Sequence, residues 1–297
     1  MNTRLLAALA FTTAILAPKA AASINAYTVN FNDNAATYTG NFLRYGDDST
    51  MTGLTWGAAV GTNGGGGLTV TEGAARNLFY RPNPTAANAT STFNISAQAA
   101  NTTFTSTLDF QWGSTTATTQ TLITAGFVPS NTSQTALTSS GALAGSLIRT
   151  ASGSIVTLRM RNGTANAGST LDFNQSALTA GNWYRLSYEL TKTAVTNTFD
   201  YTVSLFSIGA TGTSTASLFN DGSKNITLSG SVTNSAIYAD TDAFFAYDIR
   251  GDANGVSRVD NFSVATSAVP EPSTYALVAG FLAVGFAASR RGGRSRA

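Results

Sequence analysis

Apolar and polar residues alternate along much of the chain between residues 23 and 268. In the stretch TFTSTLDFQW, the side chains of Phe104, Leu108, Phe110 and Trp112 fall on one phase, and Ser106 is a polar exception on that phase. The same period of two runs through SIVTLRMR (154–161), NWYRLSYEL (182–190) and FDYTVSLFSI (199–208). Successive side chains of a strand point to opposite faces, so this pattern predicts half-buried β-strands.

Turn signals separate these segments at short intervals. They are Asn63 to Gly67, Arg81-Pro82-Asn83-Pro84, Arg161-Asn162-Gly163, Asn220-Asp221-Gly222 and Ala253-Asn254-Gly255. Asn-Gly and Asp-Gly suit hairpins because these residues tolerate a positive φ. No stretch of the body keeps a helical period of 3.6 with caps at both ends. We therefore predict an all-β fold, a β-sandwich or jelly roll over residues 23–268, with a looser Gly-rich region around Trp56 to Leu68.

The first 22 residues have the three parts of a secretory signal peptide. Arg4 supplies a positive start, Leu5 to Ala17 form an apolar stretch, and Ala20 to Ala22 form a cleavage site of the A-x-A type. The sequence predicts export, with Ala20 and Ala22 at the cleavage site and the cut after Ala22.

A second apolar run, Tyr275 to Ser289, lies near the C-terminus and is followed by a basic tail over residues 290–297. As a helix it spans about 22 Å, which is short for a bilayer core of about 30 Å, although snorkelling arginines absorb part of the mismatch. We predict a transmembrane helix over about residues 274–289 that leaves the body outside. The charges that would stop it on the cytoplasmic side are Arg290, Arg291, Arg294 and Arg296.

A short prolyl motif comes directly before this run and consists of Val269, Pro270, Glu271, Pro272 and Ser273. Motif, apolar run and arginine cluster together, residues 269–297, resemble the PEP-CTERM protein-sorting signal of Gram-negative bacteria. The resemblance implies that an exosortase-type membrane protease recognises Pro270-Glu271-Pro272 and removes the tail. The product would be anchored transiently in the inner membrane and then released or attached at the cell surface or in the extracellular matrix. The alternative is a Pro-rich linker before a permanent anchor.

Composition excludes several classes of chemistry. The chain has no Cys and no His, which excludes disulfides, thiolate nucleophiles, the usual zinc sites and imidazole as a catalytic base. Residues 23–268 hold eleven Lys and Arg against fourteen Asp and Glu, a net charge of −3. The body therefore lacks the basic stripe that phosphate binding needs, and we expect no nucleic-acid partner.

Two stretches near the end of the body carry a second resemblance. They are GNWYRL (181–186) and GVSRVDNFSV (255–264). Both are similar to the closing strands of concanavalin-like and laminin-G-like jelly rolls. Members of those families often bind glycans or calcium, but the resemblance here supports the fold rather than an activity.

Carboxylates are the remaining candidates for catalysis. Glycosidases need two of them about 5 to 10 Å apart. The body has only two glutamates, Glu72 and Glu189, and no E-x-D-x-E strand, although Asp pairs could substitute. Glu189 shares a strand face with Arg185 and Ser187, which favours a solvated surface, and we expect no catalytic residue.

Oxygen-bearing residues gather in the sequence at Asp240, Asp242, Asp248, Asp252 and Asn254. Such ligands suit Ca²⁺, and Asp252 to Gly255 resembles the middle of a calcium loop. The first position of that loop would be Arg250 and the twelfth Asn261, so the motif is broken. A tight turn with Asx hydrogen bonds is the alternative. We predict no cofactor and keep Asp248, Asp252 and Asn254 as weak calcium candidates.

Five aromatic residues could stack on sugar rings or fill the core, and strand positions favour the core. They are Trp56, Trp112, Trp183, Tyr184 and Tyr188. Our hypothesis is a non-enzymatic exported protein whose β-sandwich serves in structure, adhesion or polysaccharide contact. The alternative is a secreted carbohydrate-active enzyme on a jelly-roll fold that uses Asp and Glu carboxylates.

Overall fold

The structure is a computed structural model, and it describes residues 27–29, 31, 42–45, 54–70, 74–82, 92–113, 120–129, 137, 141–149, 155–251 and 255–268. The signal peptide with Ala20 and Ala22, the motif at 269–273 and the arginines from 290 to 296 lie outside these residues and stay predictions. Within the ranges just given, no helix has the length and apolar character to cross a membrane.

Strands dominate the described residues. In chain order they are β1 (Tyr27–Val29), β2 (Phe42–Tyr45), β3 (Leu54–Gly57), β4 (Gly67–Val70), β5 (Ala74–Pro82), β6 (Thr92–Phe93), β7 (Thr102–Trp112), β8 (Gln120–Val128), β9 (Leu143–Arg149), β10 (Ile155–Asn162), β11 (Ala165–Asn174), β12 (Trp183–Lys192), β13 (Thr198–Gly209), β14 (Ser217–Leu218), β15 (Thr227–Thr233), β16 (Ala243–Gly251) and β17 (Val256–Ala268). A one-turn helix, α1 (Ser235–Tyr238), and two 3-10 turns, Thr62–Gly64 and Gln175–Ala177, complete the described elements.

The strands form two antiparallel sheets. Sheet I has the order β14-β13-β12-β7-β17-β4-β3, with β15 also paired to β13 and β1 to β17. Sheet II has the order β11-β10-β9-β8-β16-β5-β2, with β6 also paired to β16. The inner faces of both sheets contribute to one buried apolar cluster. The all-β sandwich predicted from the alternation is confirmed.

Aromatic rings fill the centre between the sheets. Phe127 of sheet II packs edge to face on Phe245 at 4.9 Å and on Phe104 of sheet I at 5.3 Å. Such T-shaped pairs are the favoured arrangement of aromatic quadrupoles. The sandwich is therefore stabilised by the burial of apolar surface and not by disulfides.

The predicted alternation matches the burial in β7 and β12. Phe104, Leu108 and Phe110 are buried, and residues between them are partly exposed at Thr103, Thr105 and Thr107. Ser106, the polar exception on the apolar phase, is also buried, and its hydroxyl is hydrogen-bonded to the hydroxyl of Tyr247. In β13 the phase shifts near the end, so Ile208 is buried and Ser207 is only half-buried; the register of β12 on β13 slips at Trp183.

The Gly-rich region around Trp56 to Leu68 is an ordered hairpin, which corrects the prediction of a looser segment. β3 and β4 pair from Leu54 with Val70 to Gly57 with Gly67, and a 3-10 turn joins them. A Cβ atom on Gly61 would lie 2.0 Å from the Gly66 carbonyl oxygen and 2.7 Å from Asp260 Oδ2. The glycines are therefore needed for close packing of the turn on β17 rather than for looseness.

Candidate functional site

An open groove of about 270 Å³ lies at one edge of the sandwich. β10 and β11 of sheet II form one wall, and the loop between β14 and β15 of sheet I forms the other. The residues that line it are Ile155, Asp172, Phe173, Asn174, Asp221 and Lys224. The groove thus combines two carboxylates, an amide and an ammonium group with two apolar side chains.

The register of β10 and β11 places the first wall. Ile155 lies opposite Asn174, and Thr157 opposite Asp172, so all four belong to the outer face of sheet II. Phe173 points the other way and packs inside, with its ring 6.1 Å from that of Phe219. Asp172 and Asn174 are exposed to solvent.

Local hydrogen bonds orient both polar side chains of this wall. Thr157 Oγ1 donates to Asp172 Oδ1 at 2.6 Å. Asn174 Oδ1 accepts from Ser176 N at 3.0 Å and from Ser176 Oγ at 2.9 Å, and so caps the short 3-10 turn. Since the oxygen of the Asn174 amide is directed to the turn, its NH2 group is the part offered to the groove.

The second wall is a tight loop that presents Asp221 and Lys224. Asp221 Oδ1 accepts from Ser223 Oγ at 2.7 Å, from Ser223 N at 3.0 Å and from Lys224 N at 3.0 Å. The hydrogen bonds from Ser223, with those of Lys224, lower the pKa of Asp221 to about 2. Its carboxylate is therefore ionised at all but strongly acidic pH. Gly222 adopts φ 90°, a left-handed conformation that lets the loop turn back.

The aromatic residues considered for sugar stacking are core residues wherever their side chains are described. Trp112 is fully buried, and Trp183, Tyr184 and Tyr188 are at most 2% exposed. No ligand can reach their ring faces without unpacking the sandwich. The side chain of Trp56 lies outside the described part of the structure.

The acidic residues near the end of the body do not form one group. Asp240 Oδ1 accepts from Asp242 N at 2.8 Å in an Asx turn before β16. Asp248 is the sixth residue of β16, so about 20 Å of extended chain separates it from Asp242. Among the described residues, no three acidic side chains are placed to hold a metal ion. Asp252 and Asn254 lie outside those residues, so calcium there stays a prediction.

Of the two glutamate candidates, Glu189 lies within the described residues. Glu189 is exposed on the outer face of sheet I, opposite Thr105 and Thr202, as expected for a solvated strand face. Glu72 lies outside the described residues. Arg185, on the same face as Glu189, binds Asp109 instead, with Nε at 2.6 Å from Oδ1 and Nη2 at 2.9 Å from Oδ2.

Asp109 belongs to a buried polar cluster that sequence reasoning missed. Asp260 lies beside it, and Asp260 Oδ2 accepts from Thr62 N at 2.9 Å and from Thr62 Oγ1 at 2.7 Å. Asn261 joins the two carboxylates: its Nδ2 donates to Asp109 Oδ2 at 3.0 Å, and its backbone N donates to Asp260 Oδ1 at 2.7 Å. We name these four residues and Arg185 the carboxylate clamp. Both of its carboxylates are buried, and the clamp holds the β3–β4 turn on the sheet.

The sequence analysis also did not predict the groove. Asp172 and Asn174 alternate with apolar residues in LDFN, which is the pattern of any solvated strand face, and Asp221 belongs to the turn signal Asn220-Asp221-Gly222. The signal that was available is the Asx chemistry of Asn174 and Asp221, which predicts rigid polar loops. Nothing in the sequence shows that the two loops meet.

No protein-family model matches the sequence, and no curated protein matches it. Three solved structures illustrate what the fold is similar to. A lectin from Bauhinia forficata in complex with GalNAc has 8% identity over 84% of this chain and 100% of that chain, with a TM-score of 0.48. Peanut lectin with a 9mer peptide has 10% identity over 83% and 99%, with a TM-score of 0.47. A protein of unknown function from Shewanella oneidensis MR-1 has 13% identity over 91% and 97%, with a TM-score of 0.42.

Proposed function

We propose that this chain is an exported bacterial surface or matrix protein whose β-sandwich binds a glycan, without cleaving it, in the edge groove. The observation that supports this most is the mixture of groups that line the groove. Sugars present hydroxyls that both donate and accept hydrogen bonds, next to apolar C–H faces. Sites for such ligands combine apolar walls with a few oriented polar groups.

Each wall supplies part of that requirement. Asp221 and Asp172 accept hydrogen bonds from sugar hydroxyls, while Lys224 and the Asn174 amide donate them. Ile155 offers apolar surface beside these groups. Because local hydrogen bonds already hold Asp172, Asn174 and Asp221, little side-chain ordering is needed when the ligand binds.

The presence of two carboxylates in one groove favours the alternative, a carbohydrate-active enzyme. A glycosidase needs one of its carboxyl groups protonated as the general acid, with a raised pKa. The hydrogen bonds of Asp221 lower its pKa to about 2, so it fits a permanent acceptor and not an acid. Asp221 is therefore unsuited to act as the general acid, which supports binding over catalysis at this carboxylate.

The second part of the proposal is that the C-terminal motif directs export and removal of the tail. The full chain expressed in a Gram-negative host with an exosortase should yield an exported product that lacks residues after the 269–273 motif. Replacing Pro270 and Glu271 with Ala should leave the tail in place. Intact-mass measurement of both products shows whether the tail has been removed. A wild-type product that retains Arg290 to Arg296 would support a permanent anchor instead.

Glycan binding is tested with the full chain on a glycan array, followed by titration of the best ligand. Asp172→Asn and Lys224→Gln should each weaken binding about tenfold or more, because each removes a charge-assisted hydrogen bond. Glu189→Gln makes the same chemical change on the other sheet and should leave affinity unchanged.

The same samples separate binding from turnover. We expect no release of reducing sugar from the bound glycan. Release that disappears in Asp172→Asn would establish the enzyme, and equal binding by all variants would rule out the groove as the site.

A further inference from the structure

The charge of the side chains that line the edge groove is negative on balance. Asp172 of β11 and Asp221 of the loop after β14 outnumber the one ammonium group, that of Lys224. Each carboxylate also keeps one oxygen for a ligand. Thr157 donates to Oδ1 of Asp172, and Ser223 and Lys224 donate to Oδ1 of Asp221. The two Oδ2 atoms accept no hydrogen bond from any described residue.

The cations near these carboxylates do not pair with them. Within the described part of the chain, neither Asp172 nor Asp221 forms a salt bridge within 4.0 Å. Lys224 is exposed and carries its ammonium group on a flexible four-carbon stem, so this group can turn to solvent when a ligand enters. Arg159 is the next cation on the outer face of β10, but it lies opposite Thr170 and does not line the groove. The ion pairs of both carboxylates are therefore left for a ligand to make.

Both carboxylates are prepared for a cationic group. Asp221 is ionised at all but strongly acidic pH, because the hydrogen bonds from Ser223 lower its pKa to about 2. Asp172 and Asp221 come from opposite walls of the groove, so a sugar between the walls has a carboxylate on either side. Hydrogen bonds with an ionised donor and acceptor are about twice as strong as neutral ones. An ammonium group on that sugar therefore gains more from the groove than a hydroxyl does.

We propose that the groove takes a polysaccharide with free amino groups, and that Asp172 and Asp221 bind the ammonium group of a 2-amino sugar. This inference rests on the proposed glycan binding and adds the chemical class of the ligand. Acetylation of the amine would leave the hydroxyls of such a sugar unchanged and would remove its ion pairs with the carboxylates.

The test uses the full chain and matched sets of oligosaccharides. The members of a set differ only at carbon 2 of each sugar, which carries a free amine, an acetamide or a hydroxyl, and sets of gluco and galacto configuration are compared. In at least one set the amine form should bind about fivefold or more tighter than both neutral forms, the size expected of an ion pair that is open to solvent. This preference should shrink as salt rises.

Variants locate the preference for the amine. Asp172→Asn and Asp221→Asn should each remove most of it, since asparagine keeps an oxygen for the hydrogen bonds within the wall and loses the charge. Lys224→Gln should not lower the preference, because it removes a competing cation. The matched control is Asp200→Asn, because Asp200 lies on sheet I and also accepts from a hydroxyl, Ser231 Oγ, at 2.5 Å. Circular dichroism verifies that each variant is folded.

Two kinds of result would overturn the inference, and they differ in what else they affect. Equal affinity for the amine, acetamide and hydroxyl forms, or a preference that survives both Asn variants of the groove, would remove the ammonium subsite while neutral glycan binding in the groove still stands. Absence of binding to every charged and neutral glycan would remove the proposed function as well.

Discussion

Asp109 and Asp260 lie directly opposite each other on the adjacent strands β7 and β17, and both are at most 1% exposed. Like charges in this position destabilise a sheet. The clamp reduces this destabilisation because the two carboxylates have different partners. Asp109 has the guanidinium of Arg185, whereas Asp260 has only neutral donors from Thr62 and Asn261.

The burial of Asp260, with only neutral hydrogen-bond donors, predicts a pH dependence of stability. Burial raises the pKa of Asp260 above its ordinary value of about 4. A carboxyl group with a raised folded-state pKa stabilises the fold fully below its unfolded pKa, and this contribution is lost as pH rises through the folded pKa. Asp260→Asn cannot titrate and therefore lacks this dependence.

Urea unfolding of both proteins from pH 3.5 to 7.5 measures the effect. The free energy of unfolding of the wild type minus that of Asp260→Asn should fall as pH rises. Carboxylates common to both proteins largely cancel in this difference. A difference that is flat or that grows with pH would show that Asp260 stays ionised at little cost.

Arg185 predicts a large loss of stability on substitution. Arg185→Met leaves the buried Asp109 carboxylate without its cation. We expect the free energy of unfolding to fall by about 2–4 kcal/mol, somewhat less than for a fully buried pair, because the Arg185 side chain is 34% exposed. Chemical denaturation measures it. Arg258→Met is the control and should cost below about 0.5 kcal/mol; equal losses in both variants would contradict a special role for the ion pair.

Lys192 is a buried ammonium in a cage of carbonyl groups. Its Nζ donates to the carbonyl oxygens of Ile95, Ser96 and Gln98 at 2.9 to 3.0 Å and lies 4.5 Å from the ring centroid of Tyr238. Lys192→Met should cost roughly 2–4 kcal/mol, because three carbonyl groups lose their donor.

Amide hydrogen exchange tests whether the stability lost in Lys192→Met is confined to the loop around residues 95–102. Amides of residues 95–102 should exchange faster in Lys192→Met, while those of β10 keep their protection. Lys224→Met, at an exposed lysine, should change neither stability nor exchange. Unchanged exchange in residues 95–102 of the Lys192 variant would show that the loop is held by other contacts.

The Ser106 and Tyr247 hydroxyls predict an order of mutational effects. Tyr247 OH also donates to the Thr107 carbonyl oxygen at 2.9 Å, so the hydroxyl of Ser106 is the donor to Tyr247. Ser106→Ala should cost about 1 kcal/mol, and Tyr247→Phe about 2 kcal/mol, because the latter leaves two buried groups without a partner. Thermal or urea unfolding measures both, and an apolar Ser106→Val variant that stabilises the protein would contradict the role of the hydroxyl pair.

The strands were predictable because their signal is local. β7, β10, β12 and β13 each carry their own alternation, which reports the buried face directly. Their neighbours in the sheet were not predictable, since Leu108 pairs with Leu186 and Phe110 with Val259, far away in the chain. Pairing over such distances depends on packing across the whole sandwich and leaves no mark within a strand.

The candidate sites were not predictable for the same reason as the strand pairing, because their residues are brought together from distant parts of the chain. The grouping of Asp242 with Asp248 relied on nearness in sequence, which an extended strand turns into distance. The groove joins residues from β10, β11 and the loop that follows β14, and each of these segments has the sequence pattern of an ordinary solvated surface. The Asp109 and Asp260 pair was equally unpredictable, because its two members lie on β7 and β17, which are far apart in the chain.

The position of β17 in sheet I affects how the chain folds during its synthesis. β17 is the last of the described strands, yet it lies between β7 and β4 and so joins the two parts of sheet I. A polypeptide that emerges from its N-terminus first would expose one bare edge of β7 until residues 256–268 arrive. A nascent or truncated form that ends before Val256 should therefore aggregate or require a chaperone, and only a chain that reaches Ala268 can close its own sheet.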